Sequence, residues 1–593
     1  MKRLLKRALY YLAIPLILVV INYTVTKDNF LKNNIGLIEE LSVLFFITIL
    51  LTFIKNSAVR KWSVFAFFLF YYVIFVLQII STEIIGSTIN LISLKNAAEV
   101  SLLINGTLLM KLFIYLLIFI VLLVIADKMQ LTNKERYTLL LLLLVTFFVS
   151  KNYITQHFAH EYLFRPVKNL YTLIKYDLLG SKELKDIKLN QSDIEVAKKF
   201  NIDINRSNKA EPFSKDFFYK EKLPFDKIGT NKPNVIIFFI ESLSARLLSP
   251  YKAVRIGLTP NFADFAKNSM IVEGYFNHTT PTAPGLLGQN CSFYPLFTHE
   301  DMDYKGNPLD KLKLKCMPQY IAEYGYNTYY MSHSRAYYAN INNNLKIYGY
   351  QKRYLWKDFL HHFLPKEEMI LGESGPSDHQ MMRGLTEFLK RGEGKEPFLL
   401  GLSTVESHVG RKTNSIDGIK YGDGKSSTLN LIHNVDDAFG KFWSYFKTSK
   451  YAKNTIIIIT GDHTLFPNSD YKKVAGDDWV SSIYDYLSLI IYDPTHKLPH
   501  HYSTNANSVD MAPTLLHLLG VPNQKNNFIG RSIFDKWEYN NSFGITVYHD
   551  MNYYSNMDGR VINKKYRHME KKNREIFKSL KKVVQYYQFS LQR

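Results

Sequence analysis

The sequence predicts two architectures in one chain: an α-helical membrane domain of five transmembrane helices, then a doubly wound, mostly parallel α/β domain. Three observations predict them. Long charge-free apolar runs are confined to the first quarter of the 593 residues. Two later runs of strand length, Val235–Ile240 and Thr455–Thr460, each stop abruptly on residues that ligate metals. After Pro233 the texture alternates between strand and helix signals, with short Gly- and Pro-containing connections.

The membrane domain follows from length and charge. Lys2, Arg3, Lys6 and Arg7 open the chain, and apolar segments follow at about 8–26, 35–54, 64–85, 108–126 and 137–150. Each approaches the roughly 20 residues that cross a bilayer, the fifth being short. No small-residue cleavage site closes the first, so it reads as an anchor rather than a removed signal. Lys55, Arg60 and Lys61 in one short connection, with Lys128, Lys134 and Arg136 in another, belong with the basic amino terminus inside. An odd number of spans then puts everything after about Lys151 outside the cytoplasm. Glu39 and Glu40 at the outer end of the second span read as interfacial. The formal net charge of +21 suits an anionic membrane surface, and the spans favour that partner over nucleic acid.

Four parts result: a five-helix transmembrane domain over 1–150, an amphipathic linker at the membrane surface over 151–230, an extracytoplasmic catalytic domain over 231–545, and a basic tail over 546–593. The amphipathic piece of the linker falls near 166–179. The tail, with Lys571, Lys572, Arg574, Lys578, Lys581 and Lys582, reads as a basic helix, either solvated or docked on anionic lipid. Cys291 and Cys316 are the two cysteines of the chain. Outside the cytoplasm they close a disulfide or remain two buried thiols; the sequence leaves both open.

The chemistry begins at the two strand ends. A continuous β-branched and aromatic run is a strand buried on both faces of a parallel sheet. Ligands gather at the carboxyl edge of such sheets, where the first run delivers Glu241 and the second Asp462 and His463. Two carboxylates and an imidazole suit Zn2+ or Mn2+, with Mg2+ the third option. The loop Phe276–Gly288 supplies hydroxyls at a helix start, where a nucleophile faces the favourable end of the helix dipole for a phosphate anion. Spacing alone does not choose among Thr279, Thr280 and Thr282.

The order of a strand ending Glu241-Ser242, a Thr-x-x-Gly-Leu loop, Gly461-Asp462-His463 and the closing Asp510-Met511-Ala512-Pro513-Thr514-Leu515-Leu516 resembles the alkaline phosphatase/sulfatase superfamily. Five spans before an external domain are similar to its lipoteichoic acid synthase and phosphoglycerol transferase group. The resemblance covers about 234–522 and the overall topology. It implies Glu241, Thr282, Asp462 and His463 as a single-metal site with Thr282 as nucleophile. Thr282-Ala283-Pro284-Gly285-Leu286, with Cys291 nine residues on, is similar to the phosphoglycerol transferases' own stretch. His408 and His333 fall where the group has substrate-binding histidines. Two features depart from the pattern. The Cys- or Ser-x-Pro-x-Arg of formylglycine sulfatases is absent, and the Trp-Asn-Arg that holds glycerol phosphate in lipoteichoic acid synthases is replaced by Tyr338–Asn342. Arg335 is the candidate for the missing positive charge.

The resemblance implies a membrane-bound, metal-dependent transferase of the bacterial cytoplasmic (inner) membrane. It would move a phosphoryl head group of phosphoglycerol type from a phospholipid donor, through Thr282, onto an external glycan or lipid. A phosphoethanolamine transferase, a sulfatase or phosphodiester hydrolase, and a non-catalytic scaffold are the competing readings.

Overall fold

The computed structural model describes residues 49–85 and isolated positions between 46 and 144, then Leu309, Leu312 and the stretches 187–204, 215–226, 232–251, 255–295, 314–335, 340–370, 375–408, 418–466, 469–476, 484–545, 553–557, 560–562 and 570–592. The chain divides into two units, 1–180 and 181–593.

In the first unit, the helix Ser57–Ile85 contains one stretch, Ser57–Leu77, long and apolar enough to cross a membrane. It contains most of the third expected span. Trp62, Leu69 and Phe70 on it are exposed, a pattern that suits lipid better than water. The first span, most of the second, fourth and fifth, and the amphipathic piece at 166–179 lie outside the described residues.

The second unit is built on an eight-stranded sheet. Its strands are β1 (Asn234–Ile240), β2 (Ser269–Phe276), β3 (Asn327–Ser332), β4 (Lys352–Leu355), β5 (Phe398–Ser403), β6 (Thr455–Gly461), β7 (Leu489–Tyr492) and β8 (His501–Asn507). They lie in the order β4-β3-β5-β1-β6-β7-β2-β8. All neighbours are parallel except those of β7, which runs antiparallel to both β6 and β2.

β1 is central because every side chain on it is apolar after Asn234. Val235, Ile237 and Phe239 enter one core, while Ile236, Phe238 and Ile240 enter the other. Period-two alternation thus sends one run of apolar residues into two layers of helices. The first layer contains the helices Thr282–Cys291 and Met511–Leu519, the second Asp378–Lys390 and Ser427–Phe446.

The regions flanking this sheet differ from the sequence expectation. Val196, Ala197, Phe200, Ile202 and Phe218 belong to the first core, so the later part of 151–230 is built into the catalytic unit. A capping box at Asn190 and Asp193 starts the short helix Gln191–Lys199, which carries Val196 and Ala197 to the core. The carboxyl-terminal stretch is no free tail either. β9 (Ser542–Ile545), β10 (Tyr553–Met557) and β11 (Arg560–Ile562) form a separate antiparallel sheet. The basic helix, Lys571–Gln592, buries Phe577, Leu580, Val583, Val584 and Tyr587. That three-and-four spacing makes one apolar face, and the lysines occupy the rest.

Candidate functional site

The register of the sheet assembles the site. Ile240 of β1 pairs with Gly461 of β6, so Glu241 and Asp462 leave adjacent strands side by side. On the other flank Phe239 pairs with Ser403 of β5, and Ser403 with Ser332 of β3. Glu241, Asp462, His463, His408 and His333 therefore follow four consecutive parallel strands at one carboxyl edge.

Glu241, Asp462 and His463 offer ligand atoms all within 4.8 Å of one another, and all three are buried. His463 Nε2 lies 3.4 Å from Glu241 Oε1 and 3.7 Å from Asp462 Oδ2. Its Nδ1 is 2.6 Å from the carbonyl of Thr464, which fixes the ring and turns Nε2 toward the carboxylates. Nε2 itself makes no hydrogen bond among the described residues. Two buried carboxylates, with an imidazole nitrogen left over beside them, fit a divalent cation.

Backbone and hydroxyl groups orient the carboxylates. Ser242 donates its N–H to Asp462 Oδ1 at 2.8 Å and its hydroxyl to Glu241 Oε1 at 2.7 Å, from a left-handed conformation with φ of 53°. The N–H of His463 donates to Asp462 Oδ1 at 2.7 Å, and Thr404 accepts from the N–H of Glu241 at 3.0 Å. Gln289 donates to the carbonyls of Gly461 and Asp462, tying the helix Thr282–Cys291 to the β6 turn. Sequence reasoning did not single out Ser242, Thr404 or Gln289. Only Ser242, adjacent to the acid, carried a local signal.

Charge follows this packing. Burial opposes ionisation of Glu241, but the His463 imidazole beside it and the charge of His408 hold its carboxyl well below the usual range. Burial, then the Glu241 charge, pushes Asp462 up to about 7. His463 rises to about 9: burial disfavours its charge, and the two carboxylates outweigh that. The cluster holds positive charge strongly, whether as a proton or a metal.

Thr282 is the first residue of its helix and half-buried. Its Oγ1 donates to Glu241 Oε2 at 3.1 Å. Thr279 instead donates to the carbonyl of Thr280, and Thr280 is fully buried. Of the three candidates, Thr282 is the one bonded to the cluster.

His408 is half-buried, close enough to Glu241 to act on it by charge. His333 stands just past β3 with Nε2 2.8 Å from Ser334 Oγ. Arg335 lies with its guanidinium 4.4 Å from the centre of the Trp356 ring. Cys291 and Cys316 form a disulfide, closing one of the two options the sequence left open.

The sulfatase family profile matches residues 233–521, the span that contains the whole sheet and all of these residues. Residues 233–521 form a sulfatase-family domain. The sulfatase domain and its surroundings are similar to phosphoglycerol transferase I of Xanthomonas euvesicatoria pv. vesicatoria, 25% identical over 319 residues. That match covers 51% of this chain and 43% of the relative, so it spans less than half the relative's length. Lipoteichoic acid synthase 1 of Bacillus subtilis is 28% identical over 155 residues, 24% of each chain. A crystal structure of a protein in the alkaline phosphatase superfamily from Vibrio parahaemolyticus superposes with a TM-score of 0.50 at 19% identity, covering 68% of this chain and 95% of that one. That likeness bears on the fold.

Proposed function

We propose that the protein is a metal-dependent phosphotransferase that moves a phosphoryl head group, of phosphoglycerol type, from a phospholipid through Thr282 onto an external glycan or lipid. The observation that carries this reading is the hydrogen bond from Thr282 Oγ1 to Glu241 beside Asp462 and His463, at the positive end of a helix. The similarity to phosphoglycerol transferase I and lipoteichoic acid synthase supports the head-group class.

Glu241, Asp462 and His463 would hold the metal, which supplies Lewis-acid stabilisation of charge on the phosphoryl oxygens. The hydrogen bond to Glu241 aims the Thr282 proton aside and leaves an oxygen lone pair free. In the first step Thr282 gives up its hydroxyl proton to water, its oxygen bonds to phosphorus, the bond from phosphorus to the diacylglycerol oxygen breaks, and that oxygen takes a proton from His408. In the second step an acceptor oxygen bonds to phosphorus as its proton passes to His408, the Thr282 O–P bond breaks, and the Thr282 oxygen takes a proton back from water. His333 and Arg335 bind the head group, Arg335 standing a few residues before Tyr338–Asn342 and supplying the charge that the absent Trp-Asn-Arg would give.

This reading includes a multi-pass anchor in the bacterial cytoplasmic membrane with the catalytic unit outside. The apolar helix Ser57–Ile85 and the Cys291–Cys316 disulfide support it, since disulfides persist in oxidising compartments.

The test is intact mass of the full chain in detergent, wild type beside Thr282→Ala, after incubation with phosphatidylglycerol or phosphatidylethanolamine and Mn2+ or Zn2+. A phosphoglycerol adduct lost in the variant is the expected result. A phosphoethanolamine adduct would move the donor to that class, and no adduct with any lipid would sink the covalent mechanism.

A further inference from the structure

Away from the metal site, the catalytic unit contains a cavity of about 750 Å3 whose lining includes Lys198, Lys199, Lys215, Lys220 and Lys536. Its walls are three segments distant in sequence: the end of the helix Gln191–Lys199 with the residues to Asp203, the irregular stretch at Lys215–Lys220, and the loop Lys536–Tyr539. None of the proposed catalytic residues lines it.

Lys215 is 4% exposed, with its Nζ donating to the carbonyl of Gly530 at 2.7 Å. Gly530 in turn donates to Ser292 Oγ, just past the far end of the helix that starts with Thr282. A helix of that length spans about 15 Å, so the cavity and the nucleophile lie at opposite ends of it.

The lining specifies a ligand with three properties. Five lysines against three carboxylates, Glu195, Asp203 and Glu538, leave the lining positive in balance, and that surplus favours an anion. The volume lies within the usual range for small-molecule sites and far exceeds what a bare phosphate fills. Trp537 and Phe217 add ring faces for a carbon body, Lys220 Nζ lying 4.3 Å from the Trp537 ring centre. Glu195, Asp203 and Glu538 add carboxylates that accept hydrogen bonds from hydroxyls.

Negative charge, a carbon body and hydroxyl donors together describe a phosphorylated sugar or polyol. We infer that this cavity is a second binding site of the protein for a phosphate-bearing saccharide. The biological source rests on the proposed function, whose acceptor, once modified, is a glycan carrying phosphoryl groups. The binding itself does not rest on it.

The experiment uses the full chain in detergent, titrated with glucose 6-phosphate, glucose and inorganic phosphate, with calorimetry as the readout. Lys220→Glu combined with Lys536→Glu reverses two exposed charges at the rim; Glu241→Gln disables the metal site. The inference expects glucose 6-phosphate to bind wild type and Glu241→Gln equally, at least tenfold tighter than glucose or phosphate, and at least tenfold weaker in the double variant. Should the double variant lower the melting midpoint, Lys198→Glu, also exposed, carries the same comparison. Binding unchanged by the charge reversals, lost in Glu241→Gln, absent altogether, or matched by phosphate alone would overturn it. Failure of the Thr282 adduct with this binding intact would strike the proposed function and leave the cavity assignment standing.

Discussion

A Cβ on Gly285 would overlap the carbonyl oxygen of Asp462, so the helix that begins with Thr282 rests directly on the turn that ends β6. This close approach sets the distance between Thr282, the proposed nucleophile, and the Asp462–His463 turn. Glycine is required here for space: neither neighbour in the contact is a flexible side chain.

Gly285→Ala should therefore push the helix start and the Asp462–His463 turn apart. A displacement of about 1 Å can cost on the order of 100-fold in a positioned reaction. The expected outcome is a loss of that size in formation of the Thr282 adduct, with a stability cost of about 1–3 kcal/mol from overpacking. Adduct formation and the thermal midpoint measured on one preparation check both, and an adduct rate within a few fold of wild type would refute the steric account.

Metal should stabilise the folded protein as well as serve the reaction. Glu241 and Asp462 are buried together, and a cation bound between them binds the native state preferentially. At a metal concentration 100 times Kd the gain is about 2.7 kcal/mol. Chelation should lower the thermal midpoint, and Mn2+ or Zn2+ should restore it. In Asp462→Asn the midpoint should become nearly insensitive to added metal; a full metal response in that variant would remove Asp462 from the ligand set.

Much of this site was legible because it is local. Val235–Ile240 and Ile456–Ile459 are unbroken apolar runs, and each is followed within a few residues by candidate metal ligands, so two strands suffice to find Glu241, Asp462 and His463. Thr282 was different. Three threonines within four residues share one loop, and the bond to Glu241 that separates them depends on tertiary packing. The antiparallel β7, the β9–β11 sheet and the Gly285 contact also depend on long-range pairing. The Lys571–Gln592 helix shows a related limit: its nine-lysine-and-arginine neighbourhood was conspicuous, while the face of Phe577, Leu580 and Val584 that docks it drew less notice.

His278 should make stability depend on pH. Its ring is fully buried, set between Ser508 Oγ and the carbonyl of Pro284, against Gly288. Burial holds its pKa down at about 3, the Pro284 hydrogen bond offsetting only part. The unfolded chain takes up this proton near the ordinary pH of about 6.5. As pH falls from there toward 3, the unfolded state binds a proton that the native state refuses, so stability falls. Between pH 7 and pH 5 this amounts to about 2 kcal/mol. Denaturant unfolding of wild type and His278→Gln should show the difference between the two shrinking by that amount over the interval. A constant difference would mean that the ring takes up its proton as readily in the native protein as in the unfolded chain.

The Cys291–Cys316 bond ties the last residue of the Thr282 helix to the residue that caps the next one, across a separation of 25 residues. Closing a loop of that length restricts the unfolded chain by about 3 kcal/mol. Both cysteines are fully buried, so the thiols of a Cys291→Ser/Cys316→Ser variant would be replaced by hydroxyls in an apolar core, adding to the loss. A Cys291→Ala/Cys316→Ala variant isolates the loop effect: it should unfold at lower denaturant, with a deficit of about 3 kcal/mol in ΔG. The same deficit should appear when wild type is unfolded under a strong reductant. Equal stability of the oxidised, reduced and alanine forms would show that packing alone fixes the far end of the nucleophile helix.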